Sequence, residues 1–468
     1  MRLLLLNFLA FAVGASSGQS VLETTSLRSQ LTQDGVRAVF PDDVGYANAT
    51  KAYNMRFSVF PVAVTYPNDT QQVASVVKAG ATRGLKVVAR SGGHSYIANG
   101  LGGGNGSLVV DLSGLRRISF DPVTNTAVIE PGFGGWGFAS RMWGLTLDNV
   151  KSATIVLANG TTTEVSDSQH PELFWAIRGS SASFGIVTSL TMNTFPVPPS
   201  GTFFQYVWDM DVEQATHAFT SFQKFATDRA LPNTFGGELG VLKGREKGRV
   251  AIWLLGSHYG TVGEFNETVD LFLNTQPTPD NMTLTSGTWI EVLAAGAAGD
   301  LNTTGIEMPR DTFYAKSLMT PEDGPLLTEE AMNAMMKYLA EDGYESDTFW
   351  HVEIEIYGGR DSAINAVPLN DTAFGHRNAL FTFQPYASTG NFLPPFDNHI
   401  YGFVDGMVSS ITDNMPRDWA WGAYANYIDS RLEDWQHRYY GLHYERLQAL
   451  KKIVDPAYTF QFPTSIEE

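Results

Sequence analysis

The sequence predicts an α+β protein with two domains. Its 468 residues exceed the usual size of one domain, and 43% are hydrophobic against 17% charged, which is typical of a globular chain. Helical and extended patterns alternate along the whole length. A proline-rich stretch at residues 195–200 separates two regions of different texture, so it is the best candidate for a domain boundary.

The first region predicts a helix followed by strands. Residues 69–84 carry Val73, Val76 and Val77 at three- and four-residue spacing, which indicates a helix with one apolar face. Short apolar runs then predict strands, at residues 85–89, 107–112 and 126–130.

The second region mixes long strands with amphipathic helices. The predicted strands are at residues 202–211, 248–256, 348–357 and 379–387, and the predicted helices are at 212–228, 261–275 and 328–341. In the last helix a methionine-rich stripe at helical spacing runs from Ala331 to Leu339. We expect this stripe to lie in the core, because methionine fills gaps between packed elements.

The N terminus predicts export. An apolar run from Leu3 to Val13 follows Arg2, and small residues follow the run, which is the pattern of a signal peptide over residues 1–17. The run is too short to span a membrane. Asn-x-Ser/Thr sequons agree with a secreted glycoprotein; they are at Asn48, Asn68, Asn105, Asn159, Asn266, Asn281, Asn302 and Asn370.

Composition excludes several classes of function. The chain has no cysteine, so thiol catalysis, disulfides and cysteine-ligated metals are impossible. A net charge of −18 argues against nucleic acid and anionic membranes as partners. The histidines are scattered, and His437 and His443 lack supporting carboxylates at metal-ligand spacing, so we expect no metal. We expect a monomer.

The most informative motif is Arg90-Ser91-Gly92-Gly93-His94-Ser95-Tyr96, directly after a predicted strand. Consecutive glycines let backbone N–H groups converge on an anion such as a pyrophosphate. The imidazole that follows favours a phosphate-bearing cofactor held beside a reactive histidine. A serine-hydrolase elbow is disfavoured because Ile97 occupies the place of its last glycine. A plain glycine turn with a surface histidine is the alternative for the motif in isolation.

Further motifs occur in a fixed order along the chain. They are residues 59–64 (VFPVAV), 144–150 (GLTLDNV), 173–179 (LFWAIRG), 184–188 (FGIVT), 439–441 (YYG) and 455–456 (DP). Together with residues 91–96, they make the chain resemble the flavin oxidases of the berberine bridge enzyme type, and among these the fungal glucooligosaccharide and chitooligosaccharide oxidases. Several motifs in order are more specific than any one of them.

The resemblance implies the fold and the domains. It implies an FAD-binding domain of the p-cresol methylhydroxylase and vanillyl-alcohol oxidase type, built of two α/β subdomains, over residues 18–198. A substrate domain of antiparallel sheet covered by helices is inserted at residues 199–420. The C-terminal segment, residues 421–468, is then expected to return to the FAD domain.

The resemblance also implies covalent FAD. His94 matches the family histidine that is attached to the 8-methyl group of the flavin ring. The other residues expected at the cofactor are Arg90, Ser91, Gly92, Gly93, Ser95, Gly135, Gly137, Asn149, Val187 and Asn426.

The chain departs from the family pattern after Glu130-Pro131-Gly132. About thirty residues of that pattern are missing, including the cysteine that forms a second flavin link in some members. With no cysteine anywhere in the chain, that link cannot form. The explanations are a mis-predicted or alternatively spliced transcript, a decayed paralogue, or a viable single-link enzyme. The first is favoured because the flanking motifs show no drift.

The junction creates a misleading motif. Residues 132–137 read Gly-Phe-Gly-Gly-Trp-Gly, a literal Gly-x-Gly-x-x-Gly. We discount a Rossmann site, because Pro131 interrupts the strand-to-turn step and no acidic residue follows the next strand near residues 154–157.

Oxidation of an alcohol carbon needs a base for the hydroxyl proton while hydride leaves for the flavin. The resemblance places Tyr427 at the family's catalytic tyrosine. A phenol has a pKa of about 10, so it needs a partner that takes or relays its proton. Glu353 and Glu355 share one face of a predicted strand; Glu355 best matches the acidic partner, and Glu353 is expected near the substrate. The alternative for both is a solvent-facing strand edge.

The expected activity is that of a secreted FAD-dependent oxidase. Hydride would leave C1 of an oligosaccharide to give a lactone, and O2 would be reduced to H2O2. Because sugar rings stack on aromatic faces, we expect Tyr96, Trp350 and Tyr424 to contact substrate with Glu353. The alternatives are a secondary-metabolite alcohol or phenol as substrate, or a glycoprotein impaired by the missing segment. Flavin content and a substrate panel distinguish these.

Overall fold

The computed structural model describes residues 26–131, 135–297, 299, 301 and 309–467. The predicted signal peptide, residues 132–134 of the misleading glycine motif and the sequon at Asn302 lie outside the described residues. Within them the fold consists of three β-sheets that follow one another along the chain. Among the described helices, none combines the length and the hydropathy needed to cross a bilayer.

The first sheet is mixed. Its strands are β1 (Arg37–Val39), β2 (Ala63–Tyr66), β3 (Val87–Arg90) and β4 (Leu108–Asp111). They lie in the order β1-β2-β4-β3, and β4 is parallel to both neighbours. The helices of this region are α1 (residues 26–33), α2 (Tyr46–Ala49) and α3 (Thr70–Thr82). The carboxylate of Asp69 accepts a hydrogen bond from the backbone N–H of Gln72, which fixes the start of α3.

The second sheet is antiparallel. Its strands are β5 (Ile118–Asp121), β6 (Thr126–Ile129), β7 (Val150–Val156), β8 (Thr162–Ser166) and β9 (Ile186–Asn193), in the order β5-β6-β9-β7-β8. Helices α4 (Ser140–Trp143) and α5 (Pro171–Ser180) belong to the same stretch of chain.

The third sheet is large and antiparallel, and it begins after the proline-rich stretch. Its strands are β10 (Gly201–Asp211), β11 (Phe235–Lys243), β12 (Arg249–His258), β13 (Asn281–Gly287), β14 (Phe313–Ala315), β15 (Leu318–Pro321), β16 (Phe349–Ile356) and β17 (Ala379–Ser388). The order is β13-β10-β12-β11-β16-β17-β14, with β15 also paired to β17. Its helices are α6 (Val212–Ala226), α7 (Val262–Leu273), α8 (Trp289–Gly296), α9 (Glu329–Glu345), α10 (Ala363–Ala366) and α11 (His399–Thr412).

Alternation along β16 separates the two faces of this sheet. Val352 and Ile354 are fully buried in a core shared with the inner faces of α6, α9 and α11. The methionine-rich stripe of α9 lies in the same core, as predicted. Residues His351, Glu353 and Glu355 occupy the opposite face, which carries the candidate active site.

The C-terminal segment packs against the second sheet. Its helices are α12 (Trp435–Tyr440) and α13 (Tyr444–Val454). Leu447 and Ile466 are fully buried against α5 and β7. The ammonium group of Lys451 is also fully buried, where it pairs with Asp455 at 2.7 Å and donates to the carbonyls of Ser183 and Phe460. Since every one of its protons has a partner, the buried charge is compensated.

One buried arginine joins α4 to the third sheet. The side chain of Arg141 is 1% exposed and donates to the carbonyl oxygens of Gly358, Pro232, Phe235 and Arg360 at 2.6–3.2 Å. A planar guanidinium matches this divergent set of acceptors. It therefore holds the chain just after the junction against the loops that begin β11 and follow β16.

Candidate active site

A cavity of about 770 Å³ lies between the glycine-rich loop after β3, the loop between α5 and β9, and the tyrosines of residues 424–428. Residues 90–96, at the end of β3 and in the loop after it, line the wall. Much of the rest is supplied by Leu145, Thr146, Leu147, Val150 and most of residues 177–187. This volume is in the range of sites that enclose a large organic ligand.

Hydrogen bonds of Arg90 fix the start of the glycine-rich loop. Arg90 donates through Nε to the carboxylate of Asp111 at 2.6 Å and through a terminal nitrogen to the carbonyl of Ala49 at 2.6 Å. Gly93 has a φ of 78°, a left-handed conformation that glycine adopts without a Cβ clash. His94 is exposed at the cavity wall, with its ring 5.0 Å from that of Tyr53. The predicted loop therefore presents an accessible imidazole to the cavity.

The groups lining the cavity fit FAD. Backbone N–H groups of the glycine turn and the hydroxyls of Ser181 and Ser183 suit phosphate oxygens. Oδ1 of Asn99 is buried at the wall without a hydrogen-bond partner among the described residues. This oxygen can accept a hydrogen bond from a hydroxyl or N–H group of a ligand. Apolar side chains such as Leu145 and Ile186 line the remainder, as a flat aromatic ring requires.

Most residues predicted at the cofactor line this cavity. They are Arg90, Ser91, Gly92, Gly93, His94, Ser95, Gly135, Val187 and Asn426. Asn149 and Gly137 do not line it. Asn149 donates to the carbonyls of Trp143 and Leu145, so it shapes the turn that carries Leu145, and the backbone N–H of Gly137 donates to Ser140 at the start of α4.

The predicted base and its partner are in direct contact. The hydroxyl of Tyr427, at the cavity wall, donates a hydrogen bond to Oε1 of Glu355, which is 2% exposed. Burial raises the pKa of the Glu355 carboxyl well above its ordinary value, the Tyr427 hydrogen bond lowers it in part, and the nearby Glu238 and Glu353 raise it further. Burial and the Glu355 charge raise the pKa of Tyr427 as well. The pair can accept one proton and share it.

Neighbouring side chains fix the orientation of Tyr427. Its ring is parallel to that of Tyr96, with centroids 6.0 Å apart, and meets the edge of Tyr424 at 5.2 Å. The hydroxyl of Tyr96 accepts from Nε2 of Gln384 at 2.6 Å, and that of Tyr424 accepts from Nδ2 of Asn426 at 2.7 Å. Tyr96 and Tyr424, both predicted at the substrate, line the same cavity as Tyr427.

A third carboxylate lies beside the predicted two. Glu238 of β11 is directly opposite Glu355 of β16, and oxygens of Glu238, Glu353 and Glu355 all lie within 4.8 Å of one another. Burial raises the pKa of Glu238 and of Glu353. Sequence reasoning missed Glu238, whose only signal is an acid within a buried strand. This spacing could also hold a cation, so the absence of a metal stays a prediction.

Trp350 does not lie at the site, and the prediction that it contacts substrate is wrong. It is 2% exposed in the core beneath the sheet, where its indole donates to the carbonyl of Gly343 at 2.8 Å. The reason is strand alternation: Trp350 is on the face opposite to Glu353 and Glu355. His351 faces the site instead and stacks on Tyr386 at 4.7 Å. Burial lowers the pKa of His351 to about 4.

Comparison with known proteins agrees with this geometry. The family model described as "FAD binding domain" matches residues 61–135, and the model "Berberine and berberine like" matches residues 423–467. The FAD-linked oxidoreductase dpmaF of Metarhizium anisopliae is 31% identical, with 89% of this chain and 86% of that protein covered. A chitooligosaccharide oxidase of Gibberella zeae is 29% identical, with 94% of each covered.

A solved structure has the same fold. It is a glucooligosaccharide oxidase of Acremonium strictum with 6-S-cysteinyl, 8α-N1-histidyl FAD, which superposes with a TM-score of 0.85 at 28% identity and covers 94% of this chain and 99% of that one. The predicted fold class, with its large antiparallel sheet, and the predicted enzyme class are confirmed. The chain belongs to the berberine bridge enzyme-like family of FAD-linked oxidases.

Proposed function

We propose that the protein is a secreted oxidase that oxidises C1 of an oligosaccharide to a lactone with O2 as the electron acceptor. The observation that carries this proposal is the Tyr427–Glu355 hydrogen bond at the wall of the large cavity. A phenol that can pass its proton to a buried carboxylate is suited to accept the proton of a sugar hydroxyl. Similarity to relatives named as oligosaccharide oxidases supports the choice of substrate.

The residues of this chain would divide the work between proton transfer and orientation. FAD held by the glycine-rich loop and the serines of residues 181–183 would supply the hydride acceptor and the route of electrons to O2, with H2O2 as the product. With Glu355 ionised, Tyr427 accepts the hydroxyl proton of the substrate while its own proton moves to the Glu355 carboxylate. Tyr96 and Tyr424 hold the phenol in position and offer ring faces on which a sugar can stack.

A second candidate substrate is an alcohol or phenol that is not a carbohydrate. It is favoured by the 31% identity to a relative named only as an FAD-linked oxidoreductase. Both candidates use the same base and the same cofactor, so a substrate panel decides between them.

The substrate is tested with purified, flavin-loaded protein. We expect H2O2 release with cello-, chito- or xylo-oligosaccharides, together with a lactone that hydrolyses to the aldonic acid, and no release from the corresponding alditols, which have no C1 hemiacetal. Reaction with aromatic alcohols but with none of the sugars would select the second candidate. The variant Tyr427→Phe is the control for chemistry at this site.

We further propose that FAD is attached through His94. The imidazole is exposed at the cavity wall, and the absence of cysteine leaves no cysteinyl link. After acid precipitation we expect the yellow flavin to stay with the protein pellet, and His94→Ala to release it to the supernatant. The matched control is His217→Ala, which removes an exposed histidine outside the cavity lining. Flavin released from the wild-type protein would contradict the link.

Export is the remaining part of the proposal. The sequon asparagines within the described residues are all exposed, as glycosylation requires. We expect the protein in the medium of a eukaryotic host, with a mass that falls on treatment with an N-glycosidase. Retention in cells without glycan would contradict export.

A further inference from the structure

Three carboxylates lie together next to Tyr427 at the cavity wall, without a fixed positive partner among the described residues. Among the described residues, the one basic side chain within 4 Å of them is His351, whose Nε2 is 3.6 Å from Glu353 Oε1. Burial lowers the pKa of His351 to about 4, so this ring is neutral near pH 7 and gives no compensating charge. Buried like charges at this distance repel, so the cluster must hold protons or bind a cation.

The cluster has an unused acceptor. Oε1 of Glu355 accepts from Tyr427, whereas Oε2 of the same carboxyl is buried and has no hydrogen-bond partner among the described residues. An orphaned buried carboxylate oxygen costs free energy unless a ligand donates to it. Within the part of the chain that the structure describes, Glu238 accepts one long hydrogen bond, from the indole of Trp253 at 3.4 Å. A group with several N–H donors would satisfy these oxygens together.

The cluster is accessible from solvent on the side of Glu353, and the indole of Trp253 lies beside it. The side chain of Glu353 is 27% exposed, whereas Glu238 and Glu355 are buried, so a ligand enters past Glu353. Gly240 is directly opposite Glu353, and a Cβ there would lie 1.8 Å from the indole of Trp253. The indole therefore lies across Gly240 beside Glu353, and its N–H points to Glu238, so it forms one wall of the cluster.

We propose that this three-carboxylate cluster, Glu238, Glu353 and Glu355, binds the protonated amine of the substrate, so that the preferred substrates are amine-bearing carbohydrates such as oligosaccharides of glucosamine. This inference rests on the proposed oxidation of sugars. The ammonium group supplies the positive charge and the N–H donors that the cluster lacks. Since one of the three carboxyls is the partner of Tyr427, the bound amine lies next to the hydroxyl that is oxidised.

The test compares substrates that differ at the amine alone. The glucosamine disaccharide, its N-acetylated form and cellobiose are each assayed for kcat/KM. We expect the free amine to exceed both neutral sugars by about tenfold or more, as a charge-assisted contact allows. Glu238→Gln and Glu353→Gln should each reduce that ratio, because the amide offers no negative charge. Glu267→Gln, an exposed acid on α7, is the matched control.

A binding measurement tests the amine site without requiring that the protein oxidise the ligand. The alditol of the glucosamine disaccharide has no C1 hemiacetal and so cannot give the lactone. Its binding to the FAD-loaded protein is measured by calorimetry against the alditol of cellobiose. We expect tighter binding of the amine, and weaker binding as the pH falls and protons occupy the carboxylates. The groups that face the ammonium in this titration are His351, Trp253, Gln384, Tyr96 and Tyr427.

The outcomes separate this inference from the proposed function. If cellobiose is oxidised as well as the amine-bearing sugar, and Glu238→Gln does not change this ratio, the amine site is overturned. The proposed oxidase function is then unaffected. Failure to oxidise any sugar would overturn the proposed function, and the alditol titration would then decide the amine site alone. Binding of Mg²⁺ or Ca²⁺ that Glu238→Gln abolishes would assign the cluster to a metal and overturn the inference.

Discussion

One hydrogen bond at the active site carries the proposed proton transfer, so its two residues should be the most sensitive in the chain. In Tyr427→Phe the proton acceptor is lost, and in Glu355→Gln the phenol can no longer pass its proton to a carboxylate. We expect each change to lower the rate of flavin reduction by about 10²–10⁴-fold, the usual effect of removing a general base. Stopped-flow absorbance of the flavin under anaerobic conditions measures this rate.

Two variants serve as controls for that experiment. Glu355→Asp keeps a carboxylate and should retain more activity than Glu355→Gln. Tyr338→Phe removes a tyrosine hydroxyl that donates to the carbonyl of Phe403; neither residue lines the cavity, so the rate should be unchanged. Because the two active-site residues act as one unit, the double variant should be little worse than either single one. Flavin reduction at the wild-type rate in Tyr427→Phe would exclude it as the base.

At the scale of single residues, the sequence predicted the site residues that lie in local motifs. His94, Tyr427 and Glu355 lie in or beside recognisable motifs, and the structure brings all three to one region. Glu238 and Gln384 could not be found this way, because each reaches the site through pairing of its strand with β16. The assignment of Trp350 neglected strand alternation, which the two in-phase glutamates already indicated.

At the scale of elements, α4 is joined to the third sheet by the side chain of Arg141. Arg141→Lys keeps a positive charge but replaces a five-donor planar group with three donors at one atom. Several of the four carbonyl acceptors would then be left unsatisfied in a buried site. We expect a loss of about 3 kcal/mol in the free energy of unfolding.

Urea denaturation followed by tryptophan fluorescence measures that loss. Arg245→Lys is the matched control, because the side chain of Arg245 is 75% exposed. This variant should unfold at the wild-type urea midpoint. If Arg141→Lys had the same midpoint as the control, the arginine would not be holding α4 to the sheet.

Which elements could be predicted depended on how regular their sequence patterns are. The helix expected at residues 69–84 is Thr70–Thr82, because Asp69 is its cap and not its first turn. The strand expected at 202–211 is Gly201–Asp211. By contrast β11 was not predicted: its sequence FGGELGVLK carries three glycines, which have low strand propensity, and its neighbours in the sheet stabilise it.

At the scale of the whole molecule, the cavity retains its predicted FAD-binding residues close to the place where the family match ends. The match to the FAD-binding family model ends at residue 135, close to the place after Gly132 where the sequence analysis predicts a departure from the family pattern. Around that point the cavity still includes the glycine-rich loop, His94 and the tyrosines. The FAD assignment therefore rests on residues that are present, which is the reason to test flavin retention on the chain as it is.

Global stability should depend on pH through the carboxylate cluster. Burial raises the pKa values of Glu238, Glu353 and Glu355 above the ordinary value of about 4.3, so the folded chain binds these protons more tightly than the unfolded chain. The stabilisation is complete below the ordinary pKa and is lost as the pH rises through the raised values. Burial lowers the pKa of His351 and His376 to about 4, so their contribution to stability is nearly complete at pH 7 and changes little between pH 7 and pH 9.

Glu238→Gln tests this directly, because it removes one ionisable group and one repulsive neighbour from the cluster. We expect the free energy of unfolding of the wild-type protein to fall between pH 7 and pH 9, and that of Glu238→Gln to fall less. The difference between the two proteins cancels the contribution of surface groups such as His399, whose ion-pair partners are Asp347 and Asp397 and not the cluster. Calorimetric unfolding at both pH values gives the comparison, with Glu267→Gln as the control for loss of an exposed acid. Parallel curves for Glu238→Gln and the wild type would show that Glu238 is ionised to the same extent in the folded and unfolded chains, which its burial opposite Glu355 argues against.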